Sequence, residues 1–373
     1  VVLSSAQDLS ALANESVDLI ITSPPYPMIE MWDDDFCRAN SRIRDALASG
    51  DCQKAFDLMH SGLDEIWEQF PRVVKEGGLV CINVGDATRT LNGNFQLFSS
   101  HTRIASRLIS LGFQNLPNII WRKTTNAPNK FMGSGMLPPG AYVTLEHEYI
   151  LIFRKGGKRQ FRDESLKRRR RESAYFWEER NQWFSDVWFD MKGAGQELNH
   201  DNLRKRSAAF PFELPYRLIN MFSVKGDLVL DPFVGTGTTL FAAMASERNS
   251  IGYEIDESLR SYIHCKIPAI PSLANKVIRD RIDRHFHFVK ERTQNGNPPK
   301  FSIRSLNVPC VSRQECEMIL RYVSRIDHEG NDLFIVDYET VKDADNPVSE
   351  LTSIRRATQK KKQHKGQSLL GLC

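Results

Sequence analysis

The seven cysteines of this 373-residue chain include no Cys-x-x-Cys pair, so the closely spaced thiolates of a zinc ribbon or a redox dithiol are missing. Their odd count and irregular spacing do not describe a disulfide framework either, which points to reduced thiols in an intracellular setting. No apolar run reaches the roughly eighteen residues that a membrane helix needs. Val1-Val2-Leu3 reads as a strand rather than as a signal peptide. The first residue is not Met, and a trimmed N-terminus is expected. Charge of one sign is scarce too: 50 Lys and Arg stand against 46 Asp and Glu, a net +4, too little for a strong field over the whole surface. What the chain does have is 41% hydrophobic residues, enough at this length for one large core and a smaller lobe.

Also absent are the full dinucleotide fingerprint and the lysine-bearing Walker loop. Two shorter blocks stand in their place. The apolar run Val17 to Ile21 leads into Thr22-Ser23-Pro24-Pro25-Tyr26. Consecutive prolines remove two backbone donors and fix φ, so Ser23 and Tyr26 are displayed on a stiff turn at a strand's carboxyl end. Taken alone, the pentapeptide is explained as well by an ordinary X-Pro-Pro turn. Downstream, Leu228 to Leu230 runs into Asp231-Pro232-Phe233-Val234-Gly235-Thr236-Gly237-Thr238-Thr239, followed by the helical stretch Leu240 to Ala245. Gly235 and Gly237 allow the backbone to pass close to a ligand. A second strand, Ser250 to Asp256, brings Glu254 about twenty positions on, where a carboxylate can accept both hydroxyls of a ribose. An adenosine moiety is implied, whereas phosphate is not.

Taken together, these blocks resemble the amino-methyltransferases of DNA, in the beta-class group whose catalytic motif precedes the S-adenosylmethionine motif. Ser23-Pro24-Pro25-Tyr26 is similar to that family's catalytic tetrapeptide, and Asp231 to Thr239 to its cofactor loop. Glu76 to Leu79 through Asn83 to Asp86, Glu146 to Phe153, and Phe210 to Pro215 resemble further family blocks in family order, over roughly residues 10 to 260. The resemblance implies an α/β, Rossmann-like S-adenosylmethionine-dependent methyltransferase fold with a mixed, mostly parallel sheet and an inserted target-recognition region. It implies Ser23, Pro24, Pro25 and Tyr26 as catalytic residues. S-adenosyl-L-methionine would be held by Thr22, Phe210, Pro211, Asp231, Pro232, Phe233, Gly235, Thr236, Gly237, Thr238 and Glu254. Double-stranded DNA is the implied partner, with no membrane and no metal, and a homodimer is one arrangement left open. An intracellular, DNA-associated location is expected: bacterial cytoplasm or nucleoid, or the nucleus of a eukaryotic host.

Serine at position 23, where many relatives carry Asp or Asn, makes the tetrapeptide look like that of a cytosine-N4 enzyme. Adenine N6 is the alternative, and a catalytically silent nucleic-acid-binding protein of the same fold is another. An exocyclic amino group is a poor nucleophile, so a site must accept its N–H groups and draw the nitrogen toward tetrahedral geometry. Ser23 Oγ and the Pro24 carbonyl are suited to that, with Tyr26 stacking on a base extruded from the duplex. Pro309-Cys310 has the dipeptide of cytosine-C5 enzymes but lies beyond the cofactor block, which argues against catalysis by Cys310. His147, flanked by Glu146 and Glu148, reads as a structural histidine for want of further spaced ligands.

The small net charge hides an uneven distribution. Arg154 to Arg171 carries ten Lys and Arg, ending in Lys167-Arg168-Arg169-Arg170-Arg171, and Arg204-Lys205-Arg206 follows. This density suits a phosphate backbone. Between the two clusters lie Tyr175-Phe176-Trp177, Trp183-Phe184 and Trp188-Phe189, which read either as a small hydrophobic subcore or as part of a target-recognition insert. The expected organisation is a catalytic half over 1–155, a target-recognition insert over 156–206, a cofactor-binding half over 207–265, and a C-terminal extension over 266–373 with a basic tail. Met28 to Gly62 reads as a helical insertion beside the catalytic turn. Thr124 to Gly140, rich in Gly and Pro, reads as a long functional loop.

Overall fold

Val17–Thr22 is buried at every position, as a strand must be when it has neighbours on both edges and helices on both faces. The computed structural model describes residues 1–123, 132–193, 210–330 and 332–341. The first part of the expected long loop, residues 124–131, and the basic tail lie outside them. Among the described residues the chain divides into two compact units. The first combines Val1–Gln160 with Ser185–Ile267, and the second combines Phe161–Phe184 with Pro268–Cys373.

The strands of the first unit are, in chain order, β1 (Val2–Leu3), β2 (Val17–Thr22), β3 (Val74–Val84), β4 (Ala87–Leu91), β5 (Asn94–Phe98), β6 (Phe113–Arg122), β7 (Met132–Gly133), β8 (Ala141–Tyr142), β9 (His147–Lys155), β10 (Val187–Trp188), β11 (Leu228–Asp231) and β12 (Asn249–Glu254). Eight of them form one sheet in the order β1-β12-β11-β2-β3-β9-β6-β10. Only β9 pairs antiparallel to its neighbours. The sheet is therefore mixed and mostly parallel, as expected for an α/β protein. Strand order reverses between β2 and β11, which lie side by side in the register Leu230 to Ile20. Their carboxyl ends open the crevice in which such sheets take ligands.

Helices cover the sheet where the apolar spacing asks for them. Cys52–Trp67 buries Ala55, Phe56, Met59, Leu63 and Ile66, three or four residues apart on one face. Ser100–Ser110 buries Ile104 and Leu108. The insertion after the Pro-Pro turn is helical as expected, forming Asp33–Ala39 and Arg42–Ser49.

The second unit is built on the 25-residue helix Ile270–Gln294, with two hairpins, β13 (Phe301–Ile303) with β14 (Val308–Cys310) and β15 (Arg321–His328) with β16 (Phe334–Thr340). Its core joins Phe176 to Ile278, Ile282, Phe286 and Val308. The expected segmentation is corrected here. Phe161–Phe184 belongs with the chain after Pro268, because Phe176 is fully buried in this core and Glu179 holds the buried Arg281 through bonds of 2.6 and 2.7 Å. Residues 185 to 193 stay with the main sheet, where Trp188 is buried beside β6 and Trp121 Nε1 donates to the Met191 carbonyl at 3.1 Å. No helix among the described residues is long and apolar enough to cross a membrane.

Candidate active site

At the carboxyl end of β2 the chain turns through Pro24 and Pro25, and two side chains of this turn, Ser23 and Tyr26, converge with Asn83 of β3 and Glu148 of β9. Asn83 Nδ2 donates to Tyr26 Oη at 2.9 Å and to Glu148 Oε2 at 2.6 Å, and Tyr26 Oη donates to Glu148 Oε2 at 3.1 Å. Ser23 Oγ lies 3.0 Å from the same phenol oxygen. Burial first, and then the Glu148 charge, push the Tyr26 phenol well above its usual range, so it remains a neutral donor. Proton counting then fixes the serine. Tyr26 has one hydrogen, which goes to the carboxylate, and one of its lone pairs is taken by Asn83. Ser23 must therefore donate to Tyr26, which leaves the lone pairs of Ser23 Oγ free to accept N–H groups. Glu148 is anchored in turn by an ion pair with Lys123.

This arrangement corrects the role expected of Tyr26. The ring is 6% exposed, and a Cβ on Gly85 would come within 3.1 Å of its edge. A stacking platform needs an open face, whereas the Tyr26 hydroxyl is here engaged by Ser23, Asn83 and Glu148. Asn83 and Glu148 were not singled out as site residues from sequence, although both fall in blocks that carry the family resemblance.

A cavity of 510 Å³ opens beside this turn. It is lined by Ser23, Pro24, Pro25, Phe210, Asp231, Pro232, Phe233, Gly235, Thr236, Thr238 and Glu254, all expected from sequence, and by Trp32, Phe36, Leu63 and Ile66 from the helices that follow the turn. Those four apolar side chains carry no local signature and could be placed only by the fold. Thr22, Pro211 and Gly237 were expected in the cofactor wall, but they are not among the residues that line this cavity. Thr22 is fully buried and donates to Asp231 Oδ1 at 2.7 Å, joining residues 209 positions apart. Pro211 supplies its carbonyl to Leu214 N at the start of helix Glu213–Phe222. Gly237 sits at φ +85° as the N-cap of helix Thr238–Met244.

Asp231 also accepts from Phe233 N at 3.0 Å and Thr239 Oγ1 at 2.6 Å. These bonds favour the carboxylate, yet burial outweighs them and pushes the group up to about 6. Its three donors tie together β2, the loop and the following helix, so Asp231 shapes the cavity wall. Glu254 Oε2 accepts from Gly235 N at 2.9 Å, and Oε1 accepts from the amides of Ile255 and Asp256. Burial raises its pKa. Oε2 keeps a lone pair for a hydroxyl, because a carboxylate oxygen accepts two bonds. Gly235 lies at φ +52°, and a Cβ there would meet only Phe233 O, at 3.9 Å. A polar acceptor on one strand end, a glycine cradle and an apolar wall opposite fit an adenosine-containing ligand.

The basic run Lys167–Arg171 forms the exposed helix Glu164–Glu172 of the second unit. Lys167 pairs with Glu164, Arg168 with Glu172 and Arg171 with Glu317, while Arg170 lies 4.6 Å over the Phe161 ring. Arg204, Lys205 and Arg206 fall outside the described residues. Cys310 is fully buried in the core of the second unit, where burial pushes its thiol far up, which suits packing rather than nucleophilic attack. His147 sets its ring edge-on to Tyr149 at 4.9 Å. One metal-like grouping within a unit, Glu178, His285 and Glu315, is occupied by protein partners. His285 bonds Glu178 at 2.7 Å and the Pro309 carbonyl at 2.9 Å, and Glu315 accepts from two backbone amides.

A mostly parallel sheet whose ligand cavity lies at its switch point, beside a Pro-Pro turn, defines a Rossmann-like α/β protein. The chain belongs to the DNA methylase family, whose N6_N4_Mtase model matches residues 17–264. It is 49% identical over 350 residues to "Type II methyltransferase M.MthZI" of Methanothermobacter thermautotrophicus, covering 94% of this chain and 96% of that one. It is 48% identical over 278 residues to "Type II methyltransferase M.MjaI" of Methanocaldococcus jannaschii, covering 72% and 90%. Among solved structures it is similar to TTHA0409, a putative DNA modification methylase from Thermus thermophilus complexed with S-adenosyl-L-methionine. There the TM-score is 0.54 and the identity 31%, over 70% of this chain and 89% of the other.

Proposed function

We propose that this protein is a site-specific DNA methyltransferase that transfers the methyl group of S-adenosyl-L-methionine to N4 of a cytosine extruded from duplex DNA. The observation that carries this reading is Ser23 Oγ, held by Tyr26 with its lone pairs free, at the rim of a cavity whose wall presents Gly235 and Glu254. When bound, the cofactor supplies an electrophilic methyl on a sulfonium. Glu254 accepts the ribose hydroxyls, Gly235 lets the backbone approach, and Trp32, Phe36, Leu63 and Ile66 exclude water, so charge is lost in a poorly solvated space. Ser23 Oγ and the Pro24 carbonyl accept the two amino hydrogens and draw the nitrogen lone pair out of conjugation. The family membership, the Type II relatives and the cofactor-bound neighbour support the class of reaction, and the neutral Ser23 supports cytosine as the base.

Mass spectrometry of nucleosides from DNA incubated with the protein and cofactor tests this directly. N4-methylcytosine is expected. N6-methyladenine would move the assignment to the other amino group, and unmodified nucleosides would remove the activity.

A further inference from the structure

Between β6 and β9 the chain leaves the sheet and returns at its catalytic end. Arg122 faces His147 in register, Lys123 N donates to the Glu146 carbonyl at 2.7 Å, and Glu148 follows, already bonded to Tyr26. Within this excursion, β7 and β8 form a small hairpin. Its turn is closed by Ser134 N on the Gly140 carbonyl at 2.9 Å and by Ser134 Oγ on the Leu137 carbonyl. The tip carries Met136 and Leu137, 83% and 71% exposed. Two large apolar side chains are thus adjacent on one turn and turned to solvent.

The hairpin packs against the neighbouring β4–β5 hairpin. Tyr142 stacks on Phe95 with ring centroids 4.3 Å apart and planes 11° from parallel. Phe95 lies in the β4–β5 hairpin, from which Arg89 reaches Asp33 through bonds of 2.9 and 2.6 Å. Asp33 opens the helix Asp33–Ala39, and that helix lines the cavity. The hairpin is thus linked, through Phe95, Arg89 and Asp33, to a helix that lines the cavity.

We propose that Met136 and Leu137 enter the duplex at the step from which the target base is extruded and fill the space it leaves. This rests on the DNA methyltransferase reading above. A protein partner would need about 800 Å² of surface from each side, which a two-residue tip does not offer. An apolar wedge between base steps needs no more than this tip, and it holds a base out by occupying its place.

The test uses a duplex carrying the site identified by sequencing DNA that the wild-type protein has methylated. In one version the target is paired, in a second it lies opposite an abasic position, and in a third a fluorescent base analogue replaces it. The double variant Met136→Ala/Leu137→Ala should lower kcat on the paired duplex about tenfold or more and abolish the fluorescence rise on binding. On the abasic duplex, where the unstacking is largely done beforehand, its rate should return to within about twofold of wild type. Cofactor affinity by calorimetry should be unchanged. Equal activity of variant and wild type on the paired duplex, or an equal loss on both duplexes, would overturn the wedge. Failure of the function itself reads out separately, as no methyl transfer by the wild-type protein.

Discussion

The Pro-Pro turn at residues 22 to 26 and the aromatic interval at residues 175 to 189 are both chemically conspicuous in the sequence, yet the fold treats them in opposite ways. Around the turn, polar atoms from β2, β3 and β9 converge on Tyr26 Oη, and one serine oxygen is left with open lone pairs. In the interval, Phe176, Trp183 and Trp188 are buried, and the arginines that lie over their rings are paired, Arg217 over Trp188 with Asp190 and Arg281 with Glu179. Arg281 lies 5.7 and 5.5 Å from the Phe176 and Trp183 rings and is gripped at both ends by Glu179. Richness in a residue type does not make a site. An open acceptor directed into a cavity does, and an interior whose charges are paired reads as core.

The comparison breaks most visibly where a closed pair is opened. Glu179→Ala should leave Arg281 buried and uncompensated, at a cost of about 3–5 kcal/mol. Urea denaturation followed by far-ultraviolet circular dichroism should show the loss. Cofactor affinity should stay within about twofold, because the cavity is built from the first unit. A large fall in cofactor binding at a denaturant concentration where both proteins are folded would contradict the division of labour.

Opening the other region costs activity instead. Ser23→Ala removes the free acceptor and should lower kcat by about 10²–10³ while leaving calorimetric binding of S-adenosylmethionine nearly unchanged. Tyr26→Phe should follow it in direction, because Ser23 then loses the group that orients its hydrogen. Near-normal turnover by both variants would show that the converging network is structural, like the aromatic interval.

A third variant sharpens the boundary between site and scaffold. Gly235→Val places a branched side chain at φ +52° and projects it from the cavity wall, so cofactor affinity should fall at least tenfold, roughly 1.4 kcal/mol. Gly93→Val is the control. Its φ is +79° and a Cβ there meets nothing within 4 Å, so it carries the backbone strain without entering the cavity. If the two variants bind cofactor equally well, the loop at Gly235 does not cradle the ligand.

These cases also show what the sequence makes legible. The strand at Val17 to Ile21, the Pro-Pro turn, the glycine loop and the acidic strand end at Glu254 were readable because local chemistry dictates them: apolar periodicity, fixed φ, left-handed backbone, an acidic residue after a strand. Asn83 and Glu148 escaped the site assignment because each reaches Tyr26 only when β3 and β9 pair beside β2, across 65 residues of chain. Trp32 and Phe36 escaped for the same reason, since an apolar residue in a helical insertion looks alike whether it faces a core or a cofactor. The boundary at 156–206 failed because Phe176 and Glu179 find their partners about a hundred residues later, in the helix Ile270–Gln294.

The smallest effect concerns the exposed helix Glu164–Glu172, and here the structure reduces the expectation that the sequence raises. Five successive cations look like a continuous phosphate-binding strip. Three of them already meet carboxylates: Lys167 at 2.7 Å, Arg168 at 3.7 Å and Arg171 at 2.7 Å. Such surface pairs contribute only about 0–1 kcal/mol, so DNA could displace them, but the gain from each phosphate bound is lowered by the ion pair given up. Arg169 and Arg170 are therefore the residues to neutralise first. Arg169→Gln/Arg170→Gln should flatten the plot of log affinity against log salt by about 0.9 for each phosphate no longer neutralised, with weakening that is the same for every DNA sequence. Adding Lys167→Gln and Arg171→Gln should change the slope less per residue than the first two did. An unaltered slope in the first variant would make this helix a solvated face, and the affinity for phosphate would then have to reside elsewhere in the chain.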